Sequence, residues 1–404
     1  MARTKLFAAT FESGSLIEVG SSLSTSIVTS PAPPHSFATY SCKIAQGSGF
    51  DPGYIDMGAA GTDWVTVGFY WRVSNAGTKD FDIFNCGTHL RFIYDVSTGD
   101  IIIKDSTGAT LDTISSVISE DVWYRMQIKF KVYGGAGGSN MIFKIDNTEH
   151  FNGSGLDLDN GGGDTMRIEA TIVSVSAEAD VYVKDVWAIS DDGANIDTDD
   201  TFHGPWGSKV FQATDQSATA DSGDSAQNST TYADSQENPI DDTDFTTFVV
   251  NFADTQDEGI ITTDDLGSST RPGPRNDSDF AGGTSIMATF CWRGKQTSGT
   301  GDSNYIGRYG RQVSGSETTD NTTLDGSTIG VNTSTWKNHR VFAATSSEGM
   351  PAVDEWFQIG FRANRVSGFS DRHVSISYMA AALICELPST GRLALIDGKL
   401  LTVS

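Results

Sequence analysis

The chain reads as all-β, two β-sandwich (jelly-roll) domains joined by an acidic stretch, and three observations predict it. Residues 122–132 alternate strictly, with Tyr124, Met126, Ile128, Phe130 and Val132 apolar and Arg125, Gln127, Lys129 and Lys131 polar. That is the period-two pattern of a strand with one buried face and one wet face. A Gly-rich gap, 133–140, then separates this run from a second one over 141–146, so the two form a hairpin. Finally, such runs recur through the chain at the spacing of roughly 8–12 residues typical of sandwiches, and no long helical period interrupts them.

The elements follow in order. Residues 64–73 place Val65, Val67, Phe69, Trp71 and Val73 on one face. Leu90–Asp95 and Asp100–Lys104 flank a tight turn ending at Gly99. Met166–Ser174 and Val181–Ser190 come after the central hairpin. In the last run Val181, Val183, Trp187 and Ile189 are expected to share a face, with Asp185 at its middle. Beyond Asp191 the texture turns to Ser, Asp, Ala, Gln and Thr with few apolar anchors, as in a long loop or linker. Strand signals resume at Phe245–Phe252, Ser285–Trp292, Trp356–Arg362 and His373–Leu387, and a proline followed by Ala-Val-Asp-Glu predicts a short helix near Pro351–Trp356. The expected organisation is a sandwich over 1–200, an acidic linker or long loop over 201–244, a second sandwich over 245–388 and a C-terminal arm over 389–404. A chain of 404 residues is too long for one ordinary core, which agrees with two domains.

Composition excludes some functions. The formal charge of −25 argues against nucleic acid, whose phosphates would repel it. Residues 191–270 hold eighteen acids against one base, Lys209, while Arg271, Arg275, Arg293, Lys295, Arg308 and Arg311 follow. An acid-rich solvated segment, or one docking on a basic surface, fits that order. The four cysteines, Cys42, Cys86, Cys291 and Cys385, lack the spacing of a zinc site and read as buried small hydrophobes. The N-terminal apolar run is too short for a secretory signal, and Tyr378–Cys385 falls far below the ~20 residues that span a bilayer. The expectation is a protein made in a cytoplasm, without membrane insertion.

Catalytic signatures are missing from the sequence. No strand carries acidic residues two and then three apart on one face, as a glycosidase of this shape would. There is no nucleophile elbow, no phosphate loop and no paired histidine spacing. The expected answer is therefore no enzyme and no catalytic residue, with no cofactor unless the acidic loops hold calcium. The loop with Asp157, Asp159 and Asp164 offers the hard oxygen ligands that ion prefers, without an EF-hand pattern. Trp64, Tyr70 and Trp123 fall opposite the apolar stripes of their strands, where an exposed ring could stack on a sugar or pack under a second layer.

Three segments together resemble a known family: 121–128 (Asp-Val-Trp-Tyr-Arg-Met-Gln-Ile), Phe143-Lys-Ile-Asp-Asn147, and the closing Val181-Tyr-Val-Lys-Asp-Val-Trp-Ala-Ile189. They are similar to the later strands of the concanavalin A-like (laminin-G-like) jelly roll. The acidic stretch at 238–244 and the later segment 354–362 give a layout similar to tailed-bacteriophage virion proteins. That resemblance implies a structural component of the particle, as head decoration, neck or tail protein, with other virion proteins as partners and homo-oligomeric assembly. The alternative is a carbohydrate-binding adhesin for host glycans, and a third reading is a glycoside hydrolase. The ligand loops of the plant lectins and the acidic strand motif of the glucanases are absent, so neither activity passes to any residue.

Overall fold

A computed structural model describes residues 3–45, 53–60, 64–75, 80–87, 89–131, 138–158, 165–172, 180–191, 202–212, 217–219, 246–250, 260–262, 274–298, 303–313, 321–330, 335–365, 372–388, 392–396 and 399–403. The fold is all-β, built from antiparallel sheets. The first half supplies β1 (Arg3–Ala9), β2 (Ser21–Leu23), β3 (Thr25–Val28), β4 (Ser41–Ala45), β5 (Gly53–Ala59), β6 (Trp64–Asn75), β7 (Phe81–Cys86) and β8 (Leu90–Asp95). It continues with β9 (Asp100–Lys104), β10 (Thr110–Ile114), β11 (Tyr124–Lys131), β12 (Ser139–Ile145), β13 (Thr148–Leu156), β14 (Thr165–Ile172) and β15 (Asp180–Asp191). These form an eight-stranded sheet, β13-β12-β11-β6-β15-β4-β3 with β1 also on β15, and a seven-stranded sheet, β10-β9-β8-β7-β14-β5-β2. Between them lies one continuous core that includes Phe69, Trp71, Phe84, Phe92, Phe130 and Phe143.

The second half supplies β16 (Trp206–Gln212), β17 (Ser217–Thr219), β18 (Thr246–Val250), β19 (Ile260–Thr262), β20 (Thr284–Ser298), β21 (Ser303–Gln312) and β22 (Asn321–Gly330). Then come β23 (Lys337–Ala343), β24 (Trp356–Arg365), β25 (Arg372–Glu386), β26 (Arg392–Ile396) and β27 (Lys399–Val403). A five-stranded sheet, β16-β25-β20-β23 with β18 on β25, faces the three-stranded sheet β22-β21-β24. Phe290, Trp292, Tyr309, Phe357 and Met379 fill the space between. Among the described residues β26 and β27 pair only with each other.

Four expectations need correction. Within the stretch expected as linker, β16 pairs along β25 from Trp206↔Glu386 to Gln212↔Ala380, and β17 pairs with β19. Seven residues with a buried tryptophan suffice for a strand once a long partner is present. The helix expected at Pro351–Trp356 is absent. A 3₁₀ turn sits earlier, at Ser346–Glu348, and Trp356 opens β24. The supposed wet face of β11 is also dry: Arg125 is 6%, Gln127 0% and Lys129 2% exposed.

The last correction concerns β15. Its register against β6 shifts between Lys184 and Trp187, and Asp185 there has φ +51°. One extra residue makes a β-bulge, and every side chain beyond it changes face. Val181 and Val183 enter the sandwich core and so do Val186 and Ala188, while Trp187 and Ile189 turn outward. There they join Ala8, Tyr70, Trp206, Ile286, Met287 and Ile384 in a cluster drawn from both halves of the chain. The outer face of the eight-stranded sheet is therefore the seat of the second sandwich.

Lys184, fully buried, lies at the centre of that seat. Its Nζ donates to the Thr10 carbonyl at 2.7 Å and to the Glu12 carboxylate, and lies 3.3 Å from Asp185 Oδ1. Glu12 also accepts from the backbone amides of Thr39 and Tyr40. Ser208, on β16, donates its hydroxyl to Asp185 Oδ1, and Trp206 Nε1 donates to the Asp185 carbonyl at 3.2 Å.

Replacing Lys184 by Met should cost about 3–5 kcal/mol, because Glu12 is then buried without its cation. Urea unfolding measures this, and adding Glu12→Gln to Lys184→Met should recover part of the loss. Gly68 faces Trp187, and a Cβ there would lie 2.3 Å from the indole. Gly68→Ala should cost roughly 1–3 kcal/mol by overpacking, read as a lowered thermal midpoint.

Candidate functional site

The outer face of the seven-stranded sheet meets solvent. In β8 the alternation buries Leu90, Phe92 and Tyr94 and leaves Arg91, Ile93 and Asp95 outward. In β9 Ile101 and Ile103 are buried, and Ile102 and Lys104 face out. Register then aligns one outward row across five strands: Lys104 opposite Arg91, Arg91 opposite Asn85, Asn85 opposite Arg167, and Arg167 opposite Asp56. Adjacent strands lie ~4.8 Å apart, so the row offers one polar group per step.

Two carboxylates lie beneath it. A register shift between Asp82 and Phe84 turns both Ile83 and Phe84 into the core, which leaves Asp82 and Asn85 outward. Arg91 Nη2 donates to both Asp82 oxygens at 2.9 Å, and its Nε to Oδ2 at 3.2 Å. Asn85 Nδ2 donates to Glu169 Oε1 at 2.5 Å. Asp82 and Glu169 are 4% and 3% exposed, while the Arg91 side chain is 42% exposed. Burial pushes the Asp82 pKa up to about 6; Arg91 pulls against this and the Glu169 charge adds to it. The Arg167 guanidinium lies 4.3 Å from the centre of the Tyr54 ring. Guanidinium, amide and carboxylate groups held in one row beside an aromatic ring can grip a polyhydroxylated ligand through paired hydrogen bonds.

The residues expected to bind sugar lie elsewhere. Trp64 is 4% exposed with the Lys129 ammonium 5.5 Å from its ring centre. Tyr70 is 6% exposed; its hydroxyl donates to the Trp206 carbonyl at 2.9 Å and accepts from the Trp206 amide at 3.2 Å. Tyr70 is enclosed by the junction and Trp64 is buried under Lys129, so neither offers an open face to a sugar. Trp123 is half-buried, its indole N–H donating to the Ala32 carbonyl at 2.8 Å. Of the expected calcium ligands only Asp157 is described, and its carbonyl accepts from the Ser106 hydroxyl at 2.9 Å. Asp159 and Asp164 lie outside the described residues. Among the described residues no three His, Cys, Asp or Glu side chains converge as a metal site, and no helix is long and apolar enough to cross a membrane.

Sequence reasoning missed Arg91, Asn85, Arg167, Lys104 and Asp56, since they come from five separate strands. The available signal was the outward position of Arg91 and Lys104 in two alternating runs. A cavity of about 320 Å³ beside β20, lined by Met350, Pro351, Ala352 and Val353 with Ser285 and Ser346, brings no ionisable side chain.

No family model matches the chain, and no curated protein does. Solved structures give remote likenesses. An endo-β-1,4-glucuronan lyase from the fungus Trichoderma reesei aligns at a TM-score of 0.36 and 10% identity, over 47% of this chain and 100% of the other. A conserved carbohydrate esterase from the Shiga toxin-encoding bacteriophage phi24B aligns at 0.34 and 12%, over 47% and 100%. The alginate lyase Aly36B aligns at 0.29 and 9%, over 38% and 82%. The expectation that the chain is no enzyme is withdrawn: the similar structures are named as polysaccharide lyases and a carbohydrate esterase, a likeness that assigns no activity to this chain.

Asp82 sets a pH dependence. Its folded pKa lies above the unfolded value, so its stabilising contribution is complete below about pH 4 and is lost as pH rises through about 6. Between pH 4.5 and 7 wild type should therefore lose about 2 kcal/mol relative to Asp82→Asn. Urea titrations of both proteins at the two pH values check this.

Proposed function

We propose that the protein is a carbohydrate-recognising component of a tailed-phage virion, which holds host glycan on the outer face of its seven-stranded sheet. The observation that carries this reading is the five-strand row Lys104, Arg91, Asn85, Arg167 and Asp56 above the buried Asp82 and Glu169. A sugar ring presents pairs of neighbouring hydroxyls, and a row mixing fixed donors with fixed acceptors meets both halves of each pair. Asn85 is held by Glu169 and Arg91 by Asp82, so these donors are oriented before ligand arrives, which lowers the ordering cost of binding.

The virion part of the reading rests on the sequence layout: a jelly roll, an acidic stretch and a second β unit. Many copies on a symmetric particle would turn a weak contact for one site into a strong one for the assembly. A protein of this kind is made in the host cytoplasm and functions on the particle.

A glycan array probed with the intact chain tests the reading. Specific, competable binding is expected, and Arg91→Ala with Asn85→Ala should weaken it at least tenfold, about 1.4 kcal/mol or more. Binding that survives this double change would move the site off the sheet, and an array without signal would sink the glycan reading. The same preparations, incubated with the bound glycan and assayed for shortened chains or released acyl groups, report any turnover. Co-purification with intact particles, in a defined copy number, tests the virion assignment.

A further inference from the structure

The second sandwich carries a cationic and aromatic ladder that the row on the first sandwich does not include. In β20 the core takes Phe290 and Trp292, so alternation sends Cys291, Arg293 and Lys295 to the opposite face. Cross-strand pairing sets Cys291 opposite Arg340 and Arg293 opposite Asn338 on the neighbouring β23. Trp336, just before β23, continues the ladder by one more step. Its ring centre lies 4.2 Å from Lys295 Nζ and 5.9 Å from the Arg293 guanidinium. Arg293 Nη1 donates to Asn338 Oδ1 at 2.5 Å, which fixes the guanidinium beside the indole. Arg340 stands at the inner end, where a Cβ on Gly20 would collide with its guanidinium, so the ladder emerges where the first sandwich ends. Buried Arg340 Nε has no hydrogen-bond partner.

Three cations in successive steps are conspicuous on a chain of net charge −25. The ladder's chemistry is specific. The part-buried indole has the Lys295 ammonium over one face, so a pyranose would stack its C–H side on the other, and the Arg and Lys offer charge-assisted hydrogen bonds to carboxylate or sulfate. We propose that the Arg340–Arg293–Lys295–Trp336 ladder binds an acidic polysaccharide, with Trp336 under a sugar ring and Arg293 and Lys295 on its anionic groups. This inference does not rest on the row across the seven-stranded sheet. The ligand class follows from charge complementarity: the net negative charge keeps a polyanion away, the arginine of the other row is tied to Asp82, and here a polyanion meets cations and a stacking surface together.

The test uses the intact protein and three probes: polygalacturonate for carboxylate, dextran sulfate for sulfate, and neutral dextran as control. Binding to one or both anionic polymers is expected at 0.15 M salt and should be lost at 1 M, with none to neutral dextran. Trp336→Ala should weaken binding at least tenfold and Lys295→Glu should abolish it, while Trp336→Phe, which keeps a ring, should retain most of it. Thermal unfolding of each variant checks that it folds. Arg91→Ala with Asn85→Ala should leave polyanion binding unchanged, which separates failure here from failure of the glycan row. Unchanged affinity in Trp336→Ala would overturn the proposal, because the contact would then be charge alone. Equal competition by polyglutamate would overturn it too, since the ladder would then be a dock for acidic protein.

Discussion

A lysine ammonium with no exposure to water governs how the halves of this protein meet. Moving such an ion out of water costs several kcal/mol, so Lys184 is tolerable only with its charge matched and its three donors used. The Thr10 carbonyl, Glu12 and Asp185 supply that environment. Both carboxyls are tied onward: Glu12 to the Thr39 and Tyr40 amides, and Asp185 to Ser208 across the junction. Burial raises the pKa of Asp185, against the pull of the neighbouring Lys184 and the Ser208 hydroxyl. Glu18 behaves alike: burial raises it, while hydrogen bonds from the Thr10 amide and hydroxyl oppose the rise. The site thus sets one buried cation against the Glu12 and Asp185 carboxyls, with Glu18 close by on Thr10. Junction geometry, and with it the placing of Trp187, Trp206 and Tyr70, follows from satisfying that single ion.

The bulge that delivers Lys184 also marks where sequence reasoning stopped working. Strand positions were legible from alternation: Leu90–Asp95 and Asp100–Lys104 coincide with β8 and β9, and the β6 stripe from Val65 to Val73 enters the core as its pattern implies. Alternation carries no record of an inserted residue, however. Val181-Tyr-Val-Lys-Asp-Val-Trp-Ala-Ile189 reads as one continuous stripe, yet Asp185 at φ +51° breaks it in two. A polar residue in the middle of an apolar stripe was the visible trace of that break. β16 escaped for a different reason, since its strand character depends on the length of β25 rather than on its own seven residues.

The same ambiguity explains the aromatic residues. A polar face carrying Tyr70, Arg125, Gln127 and Lys129 has the composition of a ligand surface and equally of a wet domain interface. Here the segment 202–206 lies across it. Gln127 exchanges hydrogen bonds with the His203 backbone at 2.8 and 3.0 Å, Phe202 sits 4.1 Å from Lys144 Nζ, and Arg125 sits 5.6 Å from the Trp206 ring. Each side chain that could read a ligand reads the chain's own backbone or rings instead. His35, packed in the same region, has its pKa lowered to about 4 by burial and by the Lys184 charge, so it adds no further cation at neutral pH. Among the described residues of the first sandwich, the opposite sheet keeps its polar row toward solvent, and that row was hidden because no two of its members are neighbours in sequence.

Charge accounting then bears on what these surfaces can hold. Of 27 basic residues, Arg125, Lys129 and Lys184 are consumed inside the junction, while 52 acids give the molecule a strongly negative far field. A neutral glycan ignores that field and is sorted by hydroxyl geometry alone, which suits a row whose arginine and amide are already tied to carboxylates. A polyanion must first cross the field, and at physiological salt it is screened beyond ~8 Å. Contacts shorter than that length survive, so approach is permitted while selection is left to the cations actually touched. Part-buried groups in register, such as Arg293 and Lys295 beside Trp336, are what such short-range selection requires. On the proposed reading, an acidic shell with a few ordered basic steps would discriminate between polyanions by fit rather than by net charge.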